Sequence, residues 1–405
     1  MNVTVIGQGY VGLPIAISAA EAGYIVGGFD IDLDKINQLK NGSSDSPEVT
    51  SKKLIDLQLQ SRLKFSADIF DHKASTIFVI AVPTPLDQKR NPELKYLISA
   101  CEILAKIVKP GDLVINESTS FIGTLRDLIK PTIEKLSGIK NLDYAAAPER
   151  IDPGNPTWGV QNTPRVLAGI TDIATSRAAD FYGKFCNSIH LVTKPEVAEA
   201  AKLLENSFRQ VNIALVNELS EIVKAYKISA NETISAAATK PFGFMPFYPS
   251  IGVGGHCIPI DPSYLIYSAK QVGLEAEIIT LANEINLSRP EKVVKLIKGK
   301  FHGDLERKVI QVAGITYKPN ISDLRESPAL KLIKELEKNG ANVIWFDPFI
   351  QIFEGKKSQP LSSQIDLGLI VTPHDNIDFS VWRKSNTQVL DLTANSKNYG
   401  WPKFL

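Results

Sequence analysis

From Pro195 to about Ile228 the chain runs without an internal glycine or proline, and its apolar residues recur at helical spacing. That pattern predicts one uninterrupted helix, on the order of 50 Å long at 1.5 Å per residue. A helix of this length usually spans domains and often carries a subunit interface. On both sides of it the pattern is different. Val3–Ile6 is an apolar β-branched run, followed by a glycine-punctuated loop, the small-residue helix Leu13–Ala22, a strand Tyr24–Phe29 and a helix beginning at Asp34–Lys40. Thr76–Val82 and Leu113–Asn116 read as further buried strands. From about Lys308 the alternation resumes with KVIQVAGI, helix Pro328–Asn339, and strands ANVIWF, LGLIV and QVLDL. Alternation of this kind implies parallel, doubly wound sheets.

Gly7-Gln-Gly9-Tyr-Val-Gly12 follows the first strand and opens the first helix. Glycines there permit a tight turn, close approach of a pyrophosphate and close helix–sheet packing, and the phosphates meet the helix N-terminus. GxGxxG alone carries little information; its place at a strand-to-helix turn and an acid ending the second strand give it weight. Asp30 lies 18 residues after Gly12. A carboxylate there would bind the ribose hydroxyls and repel a 2′-phosphate, which favours NAD over NADP. Asp32 and Asp34 read as solvated turn residues. The expected fold class is therefore α/β, with two Rossmann-like doubly wound domains joined by a central helical domain with one long helix. The expected boundaries are 1–190, 191–300 and 301–405, and 405 residues suit two or three domains.

The stretch Ser250-Ile-Gly-Val-Gly-Gly-His-Cys-Ile-Pro-Ile-Asp-Pro262 carries the most chemical information. Its glycines allow backbone to approach a ligand, and Pro259 and Pro262 suit the opening of a helix. A thiol just ahead of a helix N-terminus is favoured as thiolate. A free cysteine is most often a small buried apolar residue; this setting favours a nucleophile at Cys257. Cys101 and Cys186, in apolar helical surroundings, read as packing residues.

An NAD fold with an activated cysteine narrows the chemistry. A simple alcohol dehydrogenase needs no thiol. A thiol becomes useful when an aldehyde is oxidised further, because its thiohemiacetal can lose hydride and become a thioester. Such a site also needs a donor for the oxyanion and a carboxylate to activate water. Lys202 and Asn206, four residues apart, project from one face of the long helix, and Arg209 is expected to continue that face. A solvated face is the usual fate of such residues, but Ala200 and Ala201 suggest close packing here. Glu149, in Ala147-Pro-Glu-Arg150, ends the strand Asp143–Ala147, where α/β sites form. A structural salt bridge is the plainer reading for Arg150. Asp261 should share a side with Cys257, whereas His256 is adjacent to it and need not form a dyad with it.

In the last unit, Gly314-Ile-Thr-Tyr-Lys-Pro-Asn-Ile-Ser-Asp-Leu-Arg-Glu-Ser-Pro328 replaces a glycine-rich phosphate loop. Lys318 and Arg325 could supply charge for a second diphosphate, or be surface cations, and Ser327-Pro328 is expected to cap the next helix. Two nucleotide-binding folds and one cysteine imply a substrate that itself carries a nucleotide. Composition excludes other classes. The net charge of +1 offers no basic excess for nucleic acid, and three scattered cysteines make neither a disulfide framework nor a zinc site. No apolar run reaches the ~20 residues of a membrane helix and no signal segment opens the chain, so a cytoplasmic enzyme without a membrane partner is expected.

GQGYVGLP, FDID, VPTPLD, EST, PERIDPGN, KLLENSFRQVNIALVNEL, GVGGHCIPIDP and GITYKPNISDLRESPA resemble, in that order, the motifs of the UDP-glucose/GDP-mannose dehydrogenase family. The resemblance covers essentially the whole chain. Within the family, PERIDPGN, the helix with Arg209, and PFGFMPFYPSIGVGGHC are similar to members that oxidise UDP-N-acetylglucosamine. Members acting on UDP-glucose typically read GGxCxxKD, and Ile260 stands where that lysine would be. The resemblance implies two successive oxidations at sugar C6, consuming two NAD and one water, with a sugar acid for polysaccharide biosynthesis as product. It implies Cys257 as thioester nucleophile, Lys202 and Asn206 for the oxyanion and proton transfer, and Glu149, Thr119 and Asp261 for the hydrolytic water. NAD would be held by Gly7, Gly9, Tyr10, Val11, Gly12, Asp30, Lys35, Thr84 and Arg325. The UDP-sugar would be held by Glu149, Arg150, Lys202, Asn206, Arg209, Tyr248 and Gly254, with Lys318 on its diphosphate. The long helix would form a homodimer. STSFIGT departs from the many relatives that carry proline before the glycine, which bears on Thr119.

The expected substrate is a UDP-N-acetylhexosamine, the gluco epimer first, with UDP-N-acetylmannosamine, UDP-N-acetylgalactosamine or UDP-glucose as alternatives. A two-electron hydroxyacid or phosphogluconate-type dehydrogenase also joins a dinucleotide fold to helices and uses a lysine–asparagine pair. It needs neither Cys257 nor Lys318. A non-catalytic NAD-binding scaffold is disfavoured because nucleophile, lysine and carboxylates are all present.

Overall fold

The computed structural model describes residues 2–44, 46, 49–151, 155, 157–395 and 397–405; residues 152–154 of the PERIDPGN motif lie outside that set. Two compact units are formed, one from Met1–Glu205 with Ser263–Leu274, the other from Asn206–Pro262 with Glu275–Leu405.

The first unit is built on an eight-stranded sheet of order β3-β2-β1-β4-β5-β6-β7-β8. The strands are β1 (Asn2–Ile6), β2 (Ile25–Phe29), β3 (Leu63–Ser66), β4 (Ile77–Ile80), β5 (Leu113–Asn116), β6 (Asp143–Ala146), β7 (Arg165–Gly169) and β8 (Ile189–Leu191). Neighbours pair in parallel except β6 with β7, which run antiparallel. Strand β4 is buried at every residue, as expected where helices cover both faces. Its alternation divides the packing: Ile77 and Val79 join the core on one face, Phe78 and Ile80 that on the other. The order reverses at β1/β4, and a ligand crevice forms at such a switch point, outside the carboxyl ends of the strands.

The second unit contains a four-stranded parallel sheet of order β10-β9-β13-β14. Its strands are β9 (Val309–Ala313), β10 (Asn342–Phe346), β13 (Leu367–Ile370) and β14 (Val389–Asp391), with a short hairpin β11 (Ile352–Phe353) and β12 (Lys356–Lys357) inserted. The predicted strands of both ends are present; β3, β7, β8 and the hairpin were not foreseen.

The long helix runs Pro195–Ala225, 31 residues. It stops short of Ile228 because Lys227 takes a left-handed φ of 60° and the Ile228 N–H returns to the Val223 carbonyl at 3.1 Å, a Schellman closure. Pro328 does open its helix, but the Ser327 hydroxyl does not cap it: it donates to the Ile315 carbonyl at 2.7 Å. None of the helices described is long and apolar enough to cross a membrane.

Candidate active site

In the first unit, the expected cofactor residues gather at the carboxyl ends of β1, β2 and β4. The three glycines divide their work. A Cβ on Gly7 would meet the Ala81 carbonyl oxygen at 2.4 Å, and one on Gly12 would meet the Gly7 oxygen at 1.8 Å. A Cβ on Gly9 would meet nothing within 4 Å. Gly7 and Gly12 therefore serve the turn, and Gly9 faces the open side on which a pyrophosphate would lie. The helix behind them, Gly12–Glu21, has no acid in its first turn to offset its positive end, and Tyr10 and Val11 lead into it. At the end of β2, Asp30 is 8% exposed; its carboxylate accepts from the Gln8 N–H at 2.8 Å and the Asp32 N–H at 3.1 Å. Lys35 lies 3.5 Å from the same carboxylate. Asp32 has a structural task, accepting from the N–H groups of Asp34 and Lys35 as a helix cap. Thr84 is buried after β4. These residues fit a dinucleotide with free ribose hydroxyls.

The carboxyl ends of β5 and β6 carry Thr119 and Glu149. The departure at Ile122 has a use: its N–H, which a proline would lack, donates to Ser268 Oγ at 3.0 Å. Just beyond, the buried Glu199 of the long helix accepts from the N–H groups of Gly123 at 2.6 Å and Leu125 at 3.0 Å. Burial pushes Glu199 up to about 7 despite those two donors. That clamp sets the long helix against the loop of Thr119, three residues ahead of the buried Lys202. Glu149 is 7% exposed and accepts from the N–H groups of Arg150 at 2.6 Å and Ile151 at 2.8 Å. Arg150 is ion-paired with Glu205 at 2.7 Å.

In the second unit, the Cys257 carbonyl accepts from the Ile260 N–H at 3.1 Å and the Asp261 N–H at 2.8 Å. The thiol thus belongs to the residue on which the turn into helix Asp261–Gln271 closes. Asp261 is 2% exposed, and its carboxylate accepts from Asn206 Nδ2 at 2.5 Å. The glycines ahead of Cys257 have a job that the sequence did not disclose. A Cβ on Gly254 would strike Pro328 at 2.7 Å and Tyr317 at 2.9 Å, and one on Gly255, whose φ is +90°, would strike the Tyr317 ring at 2.7 Å. They let the cysteine loop lie on the 314–328 loop, with the Gly255 N–H donating to the Arg325 carbonyl at 3.2 Å. Burial and then the Arg325 charge push His256 down to about 4, so its imidazole is uncharged near neutrality. Arg325 itself grips Asp323 at 2.5 Å. Lys318 is half-buried in the same loop, and Tyr248 is half-buried upstream of Cys257. Arg209 differs from expectation: it is exposed, and the buried face from Asn206 continues through Gln210 instead.

Four residues anchoring that loop went unnoticed in the sequence. Asn217 accepts from the Ser250 N–H at 2.8 Å and donates to Asn286 at 3.1 Å. Arg289, 1% exposed, donates to the Ser250 carbonyl at 3.0 Å and to Glu221 at 2.6 Å. Their signal was faint: isolated polar residues within helical apolar spacing.

A dinucleotide turn in one unit and a thiol presented ahead of a helix in the other place the protein among NAD-dependent dehydrogenases. Models of the UDP-glucose/GDP-mannose dehydrogenase family match three successive parts of the chain: its NAD binding domain over residues 1–186, its central domain over 196–288 and its UDP binding domain over 311–394. A UDP-N-acetyl-D-glucosamine 6-dehydrogenase of Pseudomonas aeruginosa is 36% identical over 359 residues, covering 86% of this chain and 83% of that one. A UDP-N-acetyl-D-mannosamine dehydrogenase of Methanococcus maripaludis is 33% identical over 388 residues, 92% of this chain and 86% of that one. The solved structure of a UDP-D-ManNAc dehydrogenase from Pyrococcus horikoshii superposes with a TM-score of 0.90 at 31% identity, covering 100% of this chain and 97% of that one. The chain belongs to the UDP-glucose/GDP-mannose dehydrogenase family and is an NAD-dependent UDP-sugar dehydrogenase.

Proposed function

We propose that the protein oxidises the C6 hydroxymethyl group of a UDP-N-acetylhexosamine, UDP-N-acetylglucosamine first, to the carboxylate through a thioester on Cys257. The observation that carries this reading is the seat of Cys257: a loop of packed glycines leading into a helix whose first residue, Asp261, is held by Asn206. NAD, when bound, accepts one hydride in each of two oxidations. In the first, the C6 alcohol loses a hydride and gives its proton to water, with Lys202 and Asn206 assisting the transfer, and becomes an aldehyde. The Cys257 thiolate then adds to the carbonyl, with Lys202 and Asn206 supporting the oxyanion. Loss of the second hydride leaves the thioester. Water adds, its proton passing to Glu149 with Thr119 and Asp261 assisting; the C–S bond breaks and the thiolate departs.

The remaining assignments belong to the same proposal. Gly7, Gly9, Tyr10, Val11, Gly12, Asp30, Lys35, Thr84 and Arg325 serve NAD. Arg150, Arg209, Tyr248, Gly254 and Lys318 serve the UDP-sugar. A three-part division at 1–190, 191–300 and 301–405, a cytoplasmic location and a role in making polysaccharide precursors fit this chemistry. Phe208, Leu215 and Ile222 recur every seventh residue on the long helix and are 47%, 60% and 52% exposed, which supports a homodimer through that helix. A monomer in sedimentation velocity at micromolar concentration would remove that element.

UDP-N-acetylmannosamine is the second reading, favoured by the names of the Methanococcus and Pyrococcus relatives. A panel of UDP-hexoses and UDP-N-acetylhexosamines assayed for NADH separates the two. The expected result is two NADH per sugar with an N-acetylated substrate; a ratio of one removes the thioester route. Replacing Asp30 with alanine is expected to weaken NAD about tenfold or more and to relax discrimination against NADP, since a buried acceptor of ribose hydroxyls is lost. Unchanged cofactor selectivity would take Asp30 out of the site.

A further inference from the structure

Beside Glu149 the first unit holds a buried charged cluster of Arg165, Glu117 and Tyr182. Because β7 runs antiparallel to β6, its first residue, Arg165, lies at the carboxyl end of β6, from which the chain continues to Glu149. The guanidinium is 3% exposed. Its Nη2 donates to Glu149 Oε2 at 2.8 Å, and its Nη1 donates to Glu117 Oε2 at 2.9 Å and the Ala147 carbonyl at 3.3 Å. Glu117, directly after β5, is 1% exposed; its other oxygen is hydrogen-bonded to the Tyr182 hydroxyl, and Tyr182 also stacks its ring against the guanidinium at 4.8 Å. The Glu149 carboxylate therefore has every oxygen engaged, one by Arg165 and the other by two backbone N–H groups.

One cation here faces two carboxyl groups. With both ionised the buried cluster would carry an uncompensated negative charge, a costly state away from water. With a proton on one of them the cluster is neutral. Glu117 is the one that holds the proton. Burial, opposed by Arg165 and reinforced by Glu149, pushes it up to about 8. Burial acts on Glu149 too, but Arg165 and the N–H groups of Ile151 and Arg150 outweigh it and hold Glu149 below the usual carboxylate range. Among the described residues, the other titratable groups facing the cluster are Tyr182 and Cys186, both raised by burial and so uncharged at neutral pH.

We propose that Glu117, Arg165 and Tyr182 form a positioning cluster that fixes the orientation and the negative charge of Glu149 for thioester hydrolysis, with Glu117 as the protonated partner that leaves the Arg165 charge to Glu149. The proposal rests on the reading of Glu149 as the group that receives the proton of the hydrolytic water. Two consequences have opposite signs. Removing the cation raises the proton affinity of Glu149, so hydrolysis is lost at a higher pH than in the wild type as pH falls. Removing the ionisable group at position 117 is expected to remove any fall in hydrolysis above about pH 8, where Glu117 would give up its proton and compete with Glu149 for Arg165.

The test is single-turnover hydrolysis of the Cys257 thioester across the pH range, read by acid quench and protein mass, with NAD affinity as a control. In Arg165→Gln the acid limb is expected to move up by about one pH unit or more, the shift a lost neighbouring charge produces, with thioester accumulating and NAD affinity little changed. In Glu117→Gln, which keeps the shape of the protonated side chain, the basic limb near pH 8 is expected to flatten. Wild-type limbs in both variants would overturn the proposal. Should Arg165→Gln fail to fold, an unaltered basic limb in Glu117→Gln overturns it unaided. Glu149→Gln separates the two levels: if that variant does not accumulate thioester, the role of Glu149 itself is wrong, whereas accumulation there with wild-type limbs in the cluster variants defeats the positioning role only.

Discussion

Replacing Cys257 with serine is expected to reduce formation of the sugar acid by about 10³-fold or more, because a hydroxyl is far less acidic than a thiol and a poorer leaving group from an acyl carbon. The dinucleotide turn lies in the other compact unit, so NAD affinity should be retained. Serine also has nearly the size of cysteine, and the carbonyl that accepts from the Ile260 and Asp261 N–H groups is untouched, so the melting temperature should hold. The measurement is NADH and acid yield with UDP-N-acetylglucosamine, together with intact-protein mass during turnover. Full activity in the serine variant would end the role of Cys257 as nucleophile.

The second large effect is one of folding. In Gly12→Ala the new Cβ falls 1.8 Å from the Gly7 carbonyl oxygen and 3.2 Å from the Ala81 side chain. The first of these is backbone, and Gly7 is itself backed by the Ala81 carbonyl at 2.4 Å from where its own Cβ would stand. Nothing in that stack is a flexible side-chain tip, so the turn must open. A cost of about 3 kcal/mol is expected, at the upper end for an overpacked site, and would lower the melting temperature by roughly 10 °C in a unit of this size. Gly9→Ala is the matched comparison, since its Cβ enters open space. It should melt like the wild type and lose NAD affinity. Equal melting of the two variants would show that the turn is softer than its geometry implies.

What could be read in the sequence was what is decided locally. The glycine turn, Asp30 at the end of β2 and the uninterrupted helix follow from residue chemistry over short spans. Cys257 was legible as a site for the same reason. The work of its glycines was not, because Tyr317 and Pro328, against which they pack, are 62 to 74 positions away. Arg165 was hidden by topology: only an antiparallel strand brings its first residue to the edge where Glu149 follows, and nothing in TPRVLAG states that direction. The buried face was misjudged by a single step of helical phase, since the stripe from Asn206 drifts and passes to Gln210 while Arg209 is exposed. Glu199 resembles any solvated helix carboxylate until Gly123 and Leu125 are seen to donate to it.

The C-terminal sheet repeats the first turn of the chain nearly atom for atom. The Gly7 N–H donates to the Phe29 carbonyl at 2.8 Å, and the Gly314 N–H to the Phe346 carbonyl at 2.8 Å. Asp30 accepts from the residue after Gly7 at 2.8 Å, and Asp347 from the residue after Gly314 at 2.8 Å. There the likeness ends. Asp347 is fully buried, its carboxylate met by His374 Nε2 at 3.1 Å, while the other ring nitrogen accepts from the Asn320 N–H at 2.8 Å. A carboxylate sealed by an imidazole has nothing left to offer a ribose. Among the described residues the carboxylate of the first unit is therefore the one of the two placed to serve a dinucleotide, although the proposed reaction consumes two. The spent carrier must leave and a fresh one arrive while the sugar is half oxidised, and a bond to sulfur is a means of keeping a reactive aldehyde on the enzyme through that exchange.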